Sequence, residues 1–295
     1  MATPPSTPPS PIVAGNRTQF TIEPVSLEDA HYLAQTVDVP ASETGPLFRV
    51  MFPLSRAPTH LGTDLEAQRR NSEIVRWYAE GIRDAVVRGG RGGSGQAYLR
   101  KIRIRRHGGD GDGDGDGDGG GDGSCVVGLA GWTAERCRDT DIEPEITADV
   151  VKVGGNDEPK AKVTTSKSRS KSRSEDDGWV PEALDVPAWL EVSAALRNER
   201  ERVVGRLEDV CRITLLSIRP DYQRLGLGSA LMHHICEDID RHGRYGYVLS
   251  SPAGVRLYSK FRFEVVGRVE TPYGPISSML RRKVQRDVSV PKKHY

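Results

Sequence analysis

The sequence predicts an α/β fold, in which a central sheet is flanked by helices and one domain carries long low-complexity insertions. Three observations predict it. The strand-like Phe20–Pro24 runs directly into a helical pattern, and the strand-like Val210–Ile218 runs through a glycine-containing turn into another. Between them, Gly109–Gly123 and a stretch from about 141 to 185 have compositions that resist packing.

Residues 1–18 contain Pro4, Pro5, Pro8, Pro9 and Pro11, which exclude a helix or a central strand and predict a flexible leader. After Phe20–Pro24, Ser26 is the expected N-cap of a helix whose Leu27, Ala30, Leu33, Ala34 and Val37 recur at three- and four-residue steps. A second helix is expected over Asp64–Val87, with Ile74, Val75, Tyr78, Ile82 and Val86 on one face and Gly89 and Gly90 at its end. Strands are expected over Ala97–Arg105 and Cys125–Thr133.

The Gly–Asp tract between those strands imitates the start of a calcium loop, with Asp112, Asp114, Asp116 and Gly117 in place. Its twelfth position is Gly123, where such a loop needs a bidentate Glu, so a solvated insertion at about 106–124 is expected. A second insertion, about 141–186, holds the run Lys167-Ser-Arg-Ser-Lys-Ser-Arg-Ser174 and reads as a linker, compatible with phosphorylation or nuclear import. A charged helix follows from Pro187, with Trp189, Leu190, Leu196, Val203 and Leu207 as its apolar side. The expected organisation is a leader, one domain over 19–285, and a tail over 286–295.

Apolar residues make up 36% of the chain, below the roughly 45–50% usual for a globular domain, as the two tracts require. The formal net charge of +1 gives no global field to recruit nucleic acid or an anionic membrane. Four cysteines without a Cys-x-x-Cys pair argue for reduced thiols and against zinc, and no metal is expected. No apolar run approaches the roughly 18 residues that span a bilayer, so a cytoplasmic protein is expected, with nuclear entry left open by the basic tract.

The chemistry concentrates in residues 210–284. The apolar strand Val210–Ile218 stops at Arg219-Pro220-Asp221, and Gln223-Arg224-Leu225-Gly226-Leu227-Gly228 leads from Ser229 into a helix striped with Leu231, Ile235 and Ile239 and closed by Gly243. Glycines at such a turn let the first N–H groups of the helix face an anion, with the helix dipole in support. A Walker A loop would need Gly-Lys-Ser/Thr, and a dinucleotide fold an acid at the end of the next strand, where Ser250-Ser251-Pro252 stands.

In order and spacing, Leu215–Phe263 resembles the core of the GNAT superfamily of acyl-CoA-dependent N-acyltransferases. The family's Q/R-x-x-G-x-G/A loop is matched by Gln223, Gly226 and Gly228, and its next strand by Tyr247–Pro252. Its closing helix and strand are matched by Ala253–Val266, with Leu257, Tyr258 and Phe263 at the family's positions. Arg262 stands where members commonly have Gly.

The resemblance implies a mixed, mostly antiparallel sheet and acetyl-CoA as cosubstrate. It implies cofactor contacts from Leu216, Ser217 and Ile218 to the pantetheine and from Gln223, Arg224, Leu225, Gly226, Leu227, Gly228 and Ser229 to the pyrophosphate. It further implies acetyl transfer to a primary amine by direct attack on the thioester, with Tyr258 as the acid for the departing thiolate. Glu191, Glu208, Asp209 and a water chain stand open as the base, and His31, His233 and His234 read as structural. The acceptor, a protein or a small molecule, is also open, and a catalytically silent acyl-CoA-binding or regulatory protein would show the same loop.

Overall fold

The structure, a computed structural model, describes residues 19–53, 64–90, 96–105, 124–135 and 179–284. The leader, the tail, the Gly–Asp tract and the Lys-Ser-Arg-Ser tract lie outside the described residues. Strands β1 (Phe20–Pro24), β2 (Gln96–Arg105), β3 (Ser124–Glu135), β4 (Val210–Ile218), β5 (Tyr245–Ser250), β6 (Glu264–Val269) and β7 (Ile276–Arg281) form one sheet. Their spatial order is β1-β2-β3-β4-β5-β7-β6, and every adjacent pair is antiparallel except β4–β5. The parallel pair is central because its crossover, a helix, must cover one face of the sheet.

Helix α1 (Asp29–Leu33) continues through a π-helical turn, Ala34–Asp38, into α2 (Val39–Ser42), and α3 (Pro46–Met51) follows. With α4 (Asp64–Gly90), these cover one face, where Leu33, Val37, Phe52, Ile74, Ile82 and Leu129 share a core. On the other face lie α6 (Leu227–Arg241) and α7 (Pro252–Lys260), around a core that includes Ile102, Leu231, Ile235 and Phe263. A further helix, α5 (Val186–Val204), packs on α3 and on β6 and β7.

Three expectations change. Ser26 does not cap α1; its N–H and hydroxyl both donate to Asp29 Oδ2 at 2.7 Å, and Leu27 is exposed, because the helix begins three residues later. On α5, Trp189 and Val203, and just past its end Leu207, pack against the cores as expected, but Leu190 is exposed, and Val192 and Val204 are the buried residues of the helix. The end of the stretch read as a linker is core: Ala183 and Leu184 are buried among the α1–α4 residues, and Asp185 caps α5 by accepting from the Ala188 N–H at 3.2 Å.

Candidate active site

Strands β4 and β5 pair only from Val210–Tyr245 to Ile213–Val248, although β4 runs on to Ile218 and β5 to Ser250. The divergence begins at a bulge. Opposite β3, Gly131 pairs with Leu215 and Trp132 with Ile213, which leaves Thr214 as the extra residue of β4. A bulge bends its strand and breaks the local ladder. Thr214 is accordingly exposed in the middle of a seven-stranded sheet.

Beyond the bulge, β4 keeps its β3 partner and loses its β5 partner. The Arg219 N–H donates to Val127 O of β3 at 2.9 Å, so the alternation of an extended chain turns Ser217 toward β3 and Leu216 and Ile218 toward the gap. These two therefore offer backbone polar groups to an extended ligand. Gln223 occupies one of them, donating from Nε2 to Ile218 O at 3.1 Å, and so ties the following loop to the end of the strand. The backbone of Ser217 faces Leu129, and its side chain, 5% exposed, turns to the α1–α4 face, where its hydroxyl meets Asp38.

The loop after Ile218 makes a 3₁₀ turn, Pro220–Tyr222, and then enters the left-handed region at Arg224 (φ 66°) and at Gly226 (φ 85°). Gly226 is the residue before α6, and a Cβ there would meet nothing within 4 Å, so φ rather than space selects glycine. Ala230 N–H is bonded to Gly226 O at 3.0 Å, which leaves the amides of Leu227, Gly228 and Ser229 outside the helical ladder. Residues Gln223, Arg224, Leu225 and Gly226 are exposed.

A left-handed arginine costs roughly 1–2 kcal/mol. The fully buried Leu231, Met232, Ile235 and Ile239 that anchor α6 each contribute roughly 1.5–3 kcal/mol, so the helix holds the loop against that cost. The result is a set of free amides at the positive end of a 15-residue helix, next to an open strand edge.

Tyr258 lies in α7 with its ring edge-on to Phe263, the centroids 5.9 Å apart. A Cβ on Gly254 would stand 3.0 Å from that ring and 2.8 Å from Ser250 Oγ, so the glycine lets the ring sit close to the free end of β5. Burial pushes the phenol above its ordinary 10.0 and keeps it protonated. Glu208 and Asp209 precede β4 at the end away from the gap, and Glu191 lies on α5; all three are exposed. His31 is exposed, His233 packs on Phe261 at 4.8 Å and His234 on Trp132 at 5.8 Å, so none of them is placed as a base.

The carboxyl that reaches β4 past the bulge is one the sequence reading passed over. Asp38, the last residue of the π-helical turn, is 4% exposed, and Ser217 Oγ donates to its Oδ1 at 2.7 Å. Ser42 Oγ reaches the same oxygen at 3.5 Å. Burial raises the Asp38 pKa from 3.8 to about 6, and the two hydroxyls only partly oppose this. A carboxyl that keeps its proton longer in the folded chain than in the unfolded one costs stability as pH rises from about 3.8 to about 6, and the cost is complete above that. A signal for Asp38 was present: a lone acid within Val37-Asp38-Val39, on the apolar side of a helix.

Among the described residues, no three His, Cys, Asp or Glu side chains gather as a metal site, and no helix is long and apolar enough to cross a membrane.

Comparison with known proteins agrees with this geometry. Residues 193–273 match the family model of the acetyltransferase (GNAT) domain, a span that holds β4, the loop, α6, β5, α7 and β6. No curated protein sequence matches the chain. Among solved structures, it is similar to a Corynebacterium glutamicum protein described as histone acetyltransferase HPA2 and related acetyltransferase, at 14% identity and TM-score 0.45 over 91% of this chain and 99% of that one. It is also similar to the PaiA N-acetyltransferase of Thermoplasma acidophilum in complex with coenzyme A (10%, TM-score 0.40, 90% and 99%). A third is arylalkylamine N-acetyltransferase 2 of Aedes aegypti (14%, TM-score 0.44, 89% and 98%). The family model lies on the open strand, the loop and the helix, so that it is the stretch 193–273 of this chain that is similar to an acetyltransferase (GNAT) domain.

Proposed function

We propose that the protein is an N-acetyltransferase that moves an acetyl group from acetyl-CoA to a primary amine by direct attack. The observation that supports it most is the junction of the β4–β5 gap with the loop at Arg224 and Gly226, which sets an unpaired strand edge beside a helix N-terminus. A pantetheine arm is an amide chain and needs such an edge; a pyrophosphate is an anion and needs such a helix end. Leu216 and Ile218 would bind the first, and the amides from Arg224 to Ser229 the second.

Tyr258 is the acid for the departing sulfur in this reading, under one constraint. At ordinary values of about 10 and about 8.5, a phenol is already a weaker acid than a thiol, so donation to a free thiolate is uphill by about 2 kcal/mol, and burial adds to this. The phenol therefore gives up its proton only as the C–S bond breaks and recovers one from the nitrogen, so that no phenolate accumulates.

Acetyl-CoA is expected to raise the melting temperature in a concentration-dependent way, and Gly226→Trp, which places a bulky side chain at a left-handed position in the anion path, to abolish the shift. Equal binding of coenzyme A and its esters by both proteins would overturn the reading, and binding without transfer to any amine would leave a silent acyl-CoA-binding protein instead.

A further inference from the structure

In the acetyltransferase reading Tyr258 recovers one nitrogen proton, and an amine that arrives as an ammonium has a second to give up, for which no acceptor has been named. The three acids considered from the sequence are exposed and away from the gap. Asp38 and Ser217 are a hydrogen-bonded pair on the part of β4 that has lost its β5 neighbour, and their side chains belong to the α1–α4 face, opposite the α6–α7 face that holds Tyr258. The Ser217 hydroxyl spends its proton on Asp38 Oδ1, which leaves its lone pairs free to accept one. The hydroxyls of Ser217 and Ser42 are the donors that reach Asp38 among the described residues, and both reach Oδ1. Tyr78 of α4, neutral at ordinary pH because burial raises its pKa, is the titratable group that faces the carboxyl, and β3 packs against the π-helical turn that carries it.

Among the described residues no cation pairs with this buried carboxylate, which therefore destabilises the fold, and a neutral Asn could keep the same bond to Ser217. Its position beside the gap gives that cost a use.

Resting on the acetyltransferase reading, we propose that the Ser217–Asp38 pair is the proton acceptor for the incoming amine, which arrives as a primary ammonium on the face of the sheet opposite Tyr258. One ammonium proton passes to Ser217 Oγ as the Ser217 proton passes to Asp38. The freed nitrogen lone pair forms the C–N bond, and the C–S bond breaks with its electrons going to sulfur. Sulfur takes the Tyr258 proton, the phenolate takes the second nitrogen proton, and the Asp38 proton leaves to solvent. One proton is released per acetyl group, as an ammonium acceptor and a thiol product require.

The test compares the full-length wild type with Asp38→Asn and Ser217→Ala. It measures thiol release from acetyl-CoA with n-butylamine, tyramine, spermidine and a lysine peptide between pH 5.5 and 9, coenzyme A binding by calorimetry, and melting at pH 8. For an amine that is turned over, kcat/KM is expected to fall by about 100-fold in both variants. The rise in kcat/KM that the wild type shows between about pH 5.5 and 7 is expected to vanish in Asp38→Asn. Coenzyme A affinity should stay unchanged, and Asp38→Asn should melt higher than the wild type at pH 8, which a merely structural aspartate would not combine with lost turnover. Turnover in Asp38→Asn within threefold of wild type with the same pH profile would overturn the proposal, as would coenzyme A binding with none of the four amines acetylated. Failure of the wild type to bind coenzyme A would instead sink the acetyltransferase reading itself and the proposal with it.

Discussion

Asp38 and Tyr258 lie on opposite faces of the sheet, and burial raises the pKa of both with opposite consequences. For the carboxyl, the change brings its titration to about pH 6, near the range where it can take up and lose protons freely. For the phenol, it deepens the preference for the protonated form, and in the proposed acid role release is then conditional on the chemistry at sulfur. Tyr258→Phe is therefore expected to lower turnover by about 100-fold while leaving acetyl-CoA affinity within twofold, because the ring packing on Phe263 and Gly254 survives the loss of the hydroxyl. Steady-state rates and calorimetry check this, and an unchanged rate would remove the acid role. Tyr258 was singled out in the sequence by its place in a spaced motif. Asp38 carried a mark of burial in its apolar setting, but its pairing was not legible, because Ser217 lies 179 residues away along the chain and only folding brings the two within 2.7 Å.

At the scale of elements, the same device closes two helices with different residues. At the end of α6, Gly243 (φ 63°) donates to Asp240 O and Arg244 to Ile239 O. At the end of α7, Arg262 (φ 66°) donates to Ser259 O and Phe263 to Tyr258 O. Both are Schellman ends, in which the residue past the cap adopts the left-handed region and glycine is favoured. Arg262 thus leaves the turn intact and makes it costlier. Removing its Cβ strain is partly offset by the extra backbone freedom of glycine in the unfolded chain, so Arg262→Gly is expected to stabilise the protein by about 0.5–1 kcal/mol in urea unfolding. A loss of stability would show that strain at φ 66° is not what the arginine costs. The glycine at Gly243 made the end of α6 readable; the bulge at Thr214 had no such mark, since a bulge depends on how two strands meet.

For the whole molecule, α5 and the residues before it join the two halves of the chain. Leu184 is 2% exposed and belongs to the core built by α1–α4, while α5 reaches β6 and β7 at the far edge. A linker there would tolerate truncation of its side chains. Leu184→Ala is expected instead to cost about 2–5 kcal/mol, measured by thermal or urea unfolding, and a negligible loss would show that 179–186 is not part of the packed fold.

What the sequence determined by itself is the part whose causes are local. The strands Phe20–Pro24 and Val210–Ile218, the stripe Leu231, Ile235 and Ile239, and the turn spelled by Gln223, Gly226 and Gly228 follow from periodicity and from what glycine permits. Together, these carried the resemblance to the family, which the family model matches over 193–273. The tertiary structure decided what depends on distant segments meeting: the early end of the β4–β5 ladder, the exposure of Thr214, the burial of Leu184, and the meeting of Ser217 with Asp38. The physical reason is that burial and hydrogen bonding are properties of pairs. A carboxylate reads the same in a sequence whether water or a buried serine will face it, and only the fold chooses which.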